Sequence, residues 1–431
     1  MKIVNSRETA VTLLPPYRAS SLTSVQVRLW APEASNCRWT ILSSGTPLRS
    51  TDIPSKDGAF EVVDEPIPEV GSLVFQFEFF NGDGVPLASH SLPYEVVESG
   101  VQSTRRVDGC WVSIAHWSED EARHFNTDLK KLSHEDWKDQ IRAMNAVGIK
   151  SVLIQNVFDC NEYAGQHGMT PETYTGRALY PSPTFSNRYP ISCHDPVRAI
   201  LEAADECGMT VLLGVGLFAW FDFGAKSLEW HRQVTGELFA LYGHHPSLYG
   251  WYISEEMFGS LYDEWEHLPA EKYKDIVHFF KEYKAFVEEL TPTKPVALAP
   301  NNIRFHEFAE EWGEILPYID ILIPFAFARD LQNLNIAEIK AICARAKTRF
   351  WVDMEMFSYP LDNGLVPKSI DELLSEIRIY DDVEQIFGYQ FTGIMNAPES
   401  PHNLGGAASK QLYADYYNHL IQERAPIHSS S

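Results

Sequence analysis

The sequence of 431 residues is short of positive charge and of cysteine. Lys and Arg number 35 against 59 Asp and Glu, which leaves a net charge of −24 with neutral His. Nucleic acids and anionic membrane surfaces attract proteins through basic patches, so this deficit argues against both kinds of partner. The six cysteines include no CxxC pair, which argues against a disulfide scaffold and against a zinc knuckle.

Long hydrophobic runs and cofactor motifs are also missing. No apolar run approaches the roughly 18 residues that a membrane span needs, and the first eight residues lack the apolar segment of a secretion signal. We therefore expect a cytoplasmic protein, while a homo-oligomer stays open. No GxGxxG follows an apolar strand, and neither GxSxG nor HExxH occurs. The sequence therefore predicts no cofactor and no metal site.

Apolar residues make up 45% of the chain and aromatic residues 13%, which is enough for at least one large core. At roughly 150 residues per domain, the length alone predicts about three domains. The first hundred residues show a period of two: Phe75, Phe77 and Phe79 alternate with polar residues before an Asn81-Gly82 turn. This pattern predicts a small, accessory all-β sandwich over residues 1–105.

From about residue 108, apolar strands alternate with amphipathic helices. Ser133 has an acidic residue three positions later, and Asp195 precedes a proline, so both are predicted to cap helices; Gly208 is predicted to end the second. The eight apolar runs are 110–115, 149–154, 210–215, 248–254, 295–298, 319–324, 349–355 and 386–391. Continuous apolar strands separated by helices are typical of a parallel α/β sheet. The spacing favours a (β/α)8 TIM barrel over residues 106–431, with a doubly wound sheet as the alternative.

The fourth run ends in two adjacent acids, Glu255 and Glu256. Alternation places Trp251 and Ile253 on the helix-covered face and turns Glu256 into the barrel mouth. Burial among aromatic residues raises the pKa of a carboxyl, which suits a general acid. The alternative is that both glutamates begin the next helix, where acids are favourable.

The seventh run carries two carboxylates on one face. Trp351, Asp353 and Glu355 alternate with apolar residues. Buried carboxylates cost free energy unless they are paired or used. Glu355 lies nearer the carboxyl end, where barrel enzymes keep their working groups, so it is predicted to contact substrate. Asp353 is predicted to be a supporting or ion-paired group.

Two segments resemble known families. The stretch VRLWAPEA at 27–34 resembles the first strand of the immunoglobulin-like domains that precede α-amylase-type barrels. The segment GWYISEE at 250–256 resembles clan A retaining glycoside hydrolases, and the chain more closely resembles glycosidase-like barrel families of unknown function. The resemblance implies that Glu256 is the acid/base and Glu355 the nucleophile. Glu255 stands where that clan usually has an Asn that binds the sugar 2-hydroxyl.

Strand ends and the loops after them supply further candidates for sugar contacts. Aromatic rings stack on the C–H faces of sugars, while amides and carboxylates bond to their hydroxyls. Besides the two catalytic glutamates, the predicted substrate-binding residues are Glu255, Asp353, His116, Trp117, Asn156, Trp220, Asn302 and Gln390.

Together these features predict a glycoside hydrolase or transglycosidase that cleaves a glycosidic bond in an oligosaccharide or glycoside. Two carboxylates at the ends of strands four and seven would perform the chemistry, and the resemblance to clan A implies retention of configuration. A metal-dependent sugar isomerase or lyase on the same barrel is one alternative. A non-catalytic carbohydrate-binding protein is another.

Overall fold

A computed structural model describes residues 9–56, 59–67, 69–159, 173, 175–215, 223–261, 273–302, 304–327, 335–360 and 364–424. The first group of strands is β1 (Ala10–Leu14), β2 (Arg18–Ser20), β3 (Ser24–Trp30), β4 (Asn36–Ser43), β5 (Thr46–Lys56), β6 (Ala59–Phe60), β7 (Val63–Pro66), β8 (Gly71–Phe80) and β9 (Pro86–Val97). The second is β10 (Gly109–Val112), β11 (Ser151–Ile154), β12 (Thr210–Gly214), β13 (Leu248–Ile253), β14 (Val296–Leu298), β15 (Ile321–Leu322), β16 (Arg349–Phe350), β17 (Val352–Glu355), β18 (Phe357–Ser358), β19 (Val366–Pro367) and β20 (Ile386–Tyr389).

The described helices all follow residue 125. They are α1 (Asn126–Leu129), α2 (His134–Ala146), α3 (Pro196–Cys207), α4 (Ala225–Tyr242), α5 (Tyr273–Leu290), α6 (Ala309–Ile315), α7 (Ile336–Ala346), α8 (Ile370–Ile377) and α9 (Gly406–Arg424). The predicted caps are confirmed. Ser133 forms a capping box with Asp136 at the start of α2, and the Asp195 carboxylate accepts the third amide of α3. Gly208 ends α3 in the left-handed conformation that a residue without a Cβ adopts at little cost.

Residues 10–97 form one curled, mostly antiparallel sheet. Its strand order is β1-β3-β6-β5-β4-β8-β9-β2, and β7 pairs with β3. Alternate residues of β8, including Phe75, Phe77 and Phe79, are fully buried and pack with Val25 and Val27 of β3. The apolar residues that alternate along these strands therefore form one core, which the curled sheet encloses. The division of the chain at residue 105 and the sandwich description stay predictions.

The second large sheet is a nearly closed barrel of parallel strands. Its order is β16-β15-β14-β13-β12-β11-β10-β20-β17. Only Trp351 separates β16, which pairs with β15, from β17, which pairs with β20, so the seventh run bridges the two edges of the sheet. The predicted α/β class and parallel barrel sheet are confirmed.

Each of the eight predicted apolar runs contains a barrel strand. The sixth is the shortest, with only Ile321 and Leu322 paired on both sides. Side chains alternate as predicted: Trp251 and Val352 pack outward against the helices, while Tyr252 belongs to the interior core of the barrel. The carboxyl ends of these strands all open on the same side of the barrel, which positions the site.

Candidate active site

A cavity of about 170 Å³ lies at the carboxyl ends of the barrel strands. Five of its lining residues are polar: Glu121, Gln155, Asn156, Ser254 and Glu256. Eight are aromatic: Trp111, Trp117, Tyr252, Phe325, Phe327, Phe357, Tyr359 and Tyr389. A mostly aromatic hollow with a few convergent polar groups is the usual form of a small-molecule site.

Glu256 lines this cavity just beyond the end of β13. It follows Tyr252 and Ser254 on the inner face, because alternate residues of a strand point the same way. Burial, and secondarily the negative charge of Glu121, raises the pKa of Glu256 to about 7. A carboxyl with that pKa is partly protonated at neutral pH, so it is able to donate a proton.

Glu355 and Asp353 occupy the inner face of β17, in register with Tyr389 and Phe387 of β20. Both carboxylates are buried, and Glu355 lies outside the residues that line the cavity. Burial first, and then the charge of Glu355, raises the pKa of Asp353 well above its usual range. The protonated form of Asp353 is therefore favoured by its surroundings.

The backbone at the end of β17 is held from outside the barrel. The Lys368 ammonium donates to the Glu355 carbonyl at 2.9 Å and also bonds to the buried Glu376 carboxylate. The Tyr380 hydroxyl donates to the Ala326 carbonyl and lies 3.3 Å from the Glu376 carboxylate. These charge-assisted bonds fix the strand end that carries Glu355.

Glu255 faces the opposite side of β13 from Glu256. It is fully buried, with its carboxylate 3.7 Å from the His231 imidazole of α4. This position lies behind the strand and away from the lining of the cavity. The structure therefore separates the two adjacent glutamates between the two faces.

The other predicted sugar contacts divide into two groups. Trp117 and Asn156 line the cavity. His116, Asn302 and Gln390 are buried and lie outside its lining. The Gln390 amide bonds to the Ser113 hydroxyl and donates to the Thr392 carbonyl, which occupies it within the protein. Trp220 lies outside the described residues.

Glu121 is a cavity residue that the sequence reading did not single out. Its Oε1 accepts the Tyr359 hydroxyl at 3.3 Å, and its carbonyl accepts the Leu365 amide at 2.8 Å. Its position in the loop after the first strand was the available signal, because polar residues there reach the mouth of a barrel.

Within the described part of the chain, no group of three or more His, Cys, Asp or Glu side chains is arranged to hold a metal ion. Among the same residues, no helix is long and apolar enough to cross a membrane.

Two proteins of similar sequence and one of similar fold bear the names of glycosidases. The chain is 24% identical over 161 residues to a β-glucuronidase of Canis lupus familiaris and 26% identical over 172 residues to that of Rattus norvegicus. These matches cover 36% and 39% of this chain but only 22% and 23% of the relatives. The fold is similar to that of an α-L-fucosidase candidate from Bacteroides thetaiotaomicron VPI-5482, with a TM-score of 0.52 and 16% identity, over 73% of this chain and 93% of that one.

The part of the chain that matches a known family contains the barrel strands. Residues 107–402, from just before β10 to just before α9, match the model of one family. Because the match covers more than half of the chain, this protein belongs to the family described as "Domain of unknown function (DUF4434)".

Proposed function

We propose that this protein is a glycoside hydrolase or transglycosidase built on a (β/α)8 barrel, with Glu256 as general acid/base and Glu355 as its partner carboxylate. The observation that carries the proposal is Glu256 itself: it lies in an aromatic cavity at the carboxyl ends of the strands, and its pKa is about 7. The likeness of the barrel to the fucosidase candidate supports the fold on which the proposal rests.

The chemistry requires one protonated and one ionised carboxyl. Glu256 protonates the departing glycosidic oxygen, since its raised pKa keeps the proton available at neutral pH. The second carboxylate attacks the anomeric carbon, and water then releases the sugar with Glu256 acting as base. Glu355 is the proposed nucleophile because it lies nearer than Asp353 to the carboxyl end of β17, and because burial raises the pKa of Asp353.

The surrounding residues suit a sugar. The aromatic rings of Trp117 and Tyr252 line the cavity, and the Asn156 side chain adds an amide, a group that bonds to hydroxyls. The curated relatives are named for glucuronides, and the fucosidase candidate for fucosides, so both belong among the substrates to be tested.

The proposal is tested with a panel of aryl glycosides that covers both anomers of the common hexoses, fucose and uronic acids. Wild type is expected to turn over at least one of them, with retention of configuration visible by NMR. Glu256→Gln and Glu355→Gln are each expected to lower kcat/KM by about 10²-fold or more, with unchanged thermal unfolding. A loss below about tenfold in either variant contradicts the assignment of that residue. Absence of turnover across the whole panel contradicts the proposed activity.

A further inference from the structure

We infer that Gln155 binds a hydroxyl group of the substrate ring, and that the buried Ser113 is a positioning residue that holds the Gln155 amide for this contact. The inference rests on the proposed function, because it names a specificity-determining contact in the same cavity. A set of hydrogen bonds at the ends of three neighbouring strands carries it.

Ser113, Gln155 and Tyr389 lie at the carboxyl ends of these three strands. Ser113 directly follows β10, Gln155 directly follows β11, and Tyr389 is the last residue of β20. In the sheet, β10 lies between the other two strands. Gln155 and Tyr389 line the cavity, whereas Ser113 is fully buried outside that lining. Ser113 therefore acts on a bound sugar only through its neighbours.

Two hydroxyls hold one end of the Gln155 amide. Its Oε1 atom bonds to the Ser113 hydroxyl and accepts the Tyr389 hydroxyl at 3.3 Å. An amide has two polar ends, one that accepts and one that donates. Among the residues that the structure describes, none bonds to the second end of this amide. Because Gln155 lines the cavity, the second end is the one available to a ligand.

The main chain of Gln155 is fixed from two sides. Its N–H donates to the Val112 carbonyl at 3.1 Å, and its carbonyl accepts the Ser254 hydroxyl at 2.6 Å. Gly214 permits this close approach, since a Cβ there would lie 2.5 Å from the Gln155 carbonyl oxygen. A group that is already held in place loses little conformational freedom when a ligand binds, so more of the energy of its bond appears as affinity.

Ser113 is itself held from behind the cavity. Its N–H donates to the Thr392 hydroxyl at 3.3 Å, and its hydroxyl also bonds to the Gln390 amide oxygen. Gln390 in turn donates to the Thr392 carbonyl at 3.0 Å. Without the Ser113 hydroxyl, the Gln155 amide would keep Tyr389 alone as its side-chain partner, and its orientation would be less restricted.

This arrangement suits a hydroxyl of a sugar. A hydroxyl both donates and accepts, so it bonds to whichever end of the amide faces the cavity. A site built to bond a hydroxyl rejects the analogue that lacks it, because its own polar group is then left unpaired. Gln155 therefore distinguishes the substrate from its deoxy analogue at one position of the ring.

The experiment compares the aryl glycoside that the panel identifies with its set of monodeoxy analogues, using the purified full-length chain. Gln155→Met keeps the length of the side chain but lacks the amide. It is expected to lower kcat/KM about tenfold on the parent glycoside and less than about twofold on one monodeoxy analogue. Ser113→Ala is expected to lower it about 3- to 10-fold on the parent and less than about twofold on the same analogue.

The matched control is Ser151→Ala. It removes a buried hydroxyl that bonds to the Thr210 hydroxyl at 2.9 Å, at the other end of β11. This variant is expected to leave the ratio of kcat/KM for the parent and each analogue unchanged. If Ser113→Ala does not fold, Ser113→Cys replaces it, because a thiol of similar size is a weaker hydrogen-bonding group.

Each outcome decides the point. Losses in Gln155→Met that are equal on every analogue, or absent, overturn the inference while the proposed glycosidase stands. A Ser113 variant whose losses are equal on every analogue overturns the positioning role. If no glycoside is turned over, the proposed activity fails, and fluorescence titration with glucose, galactose, fucose and their monodeoxy forms replaces kinetics. Weaker binding in Gln155→Met that disappears for one deoxy form then supports the inference, whereas equal weakening, or no binding by wild type, overturns it.

Discussion

At the scale of single residues, the environment of a carboxyl sets what it can do. Glu256 and Glu121 line the cavity, whereas Asp353 is fully buried on β17 outside that lining. Burial and the charge of Glu121 raise the pKa of Glu256 to about 7, and burial and the charge of Glu355 raise the pKa of Asp353 well above its usual range. The sequence shows the carboxyls but not these differences, because they depend on neighbours from distant segments.

The pKa of Glu256 predicts the pH dependence of activity. Its proton is lost as the pH rises through about 7, so kcat/KM is expected to fall above that pH. Glu121→Gln removes a negative neighbour, which lowers the pKa of Glu256 and moves the falling limb to lower pH. Profiles of kcat/KM from pH 4 to 9 locate this fall in wild type and in Glu121→Gln. Asp120→Asn is the control, because it removes the same charge from the exposed neighbouring position. A limb that stays in place or moves upward in Glu121→Gln contradicts the coupling.

At the scale of elements, strand positions and faces could be predicted, but loop conformations could not. Alternation along the fourth and seventh runs correctly places Trp251 outward and Trp351 inward, because a period of two is a local property of the chain. Glu121 was missed because its position depends on a hydrogen bond from Leu365, far away in the sequence. The Gln390 amide bonds to Ser113 and to the Thr392 carbonyl, and its contact with substrate stays a prediction.

At the scale of the whole molecule, the amino-terminal sheet covers the end of the barrel opposite the cavity. Leu14, at the end of β1, is fully buried in the interior core of the barrel beside Tyr249 and Trp351. The Tyr249 hydroxyl donates to the Leu13 carbonyl at 2.7 Å, and Arg18 donates to the Gly148 carbonyl, also at 2.7 Å. This packing could not be predicted from the sequence, because it joins segments that are remote along the chain.

This arrangement predicts a large effect of one substitution far from the cavity. Leu14→Ala is expected to lower the free energy of unfolding by about 2–5 kcal/mol, because it empties a fully buried site. Leu22→Ala, at an exposed position in the turn between β2 and β3, is expected to change it by less than about 0.5 kcal/mol. Urea denaturation measures both. A loss below about 1 kcal/mol in Leu14→Ala contradicts the role of the sheet in closing the barrel.

We propose that Glu256 donates the proton to the leaving group, and this role is tested by comparing the activity of Glu256→Gln on glycosides with different leaving groups. A dinitrophenyl group leaves without protonation, whereas a phenyl group needs it. On the sugar that the panel identifies, Glu256→Gln is expected to lower kcat/KM by about 10²- to 10⁴-fold for the phenyl glycoside. For the dinitrophenyl glycoside the expected loss is less than about tenfold. Equal losses on both substrates would contradict the assignment of Glu256 as the acid.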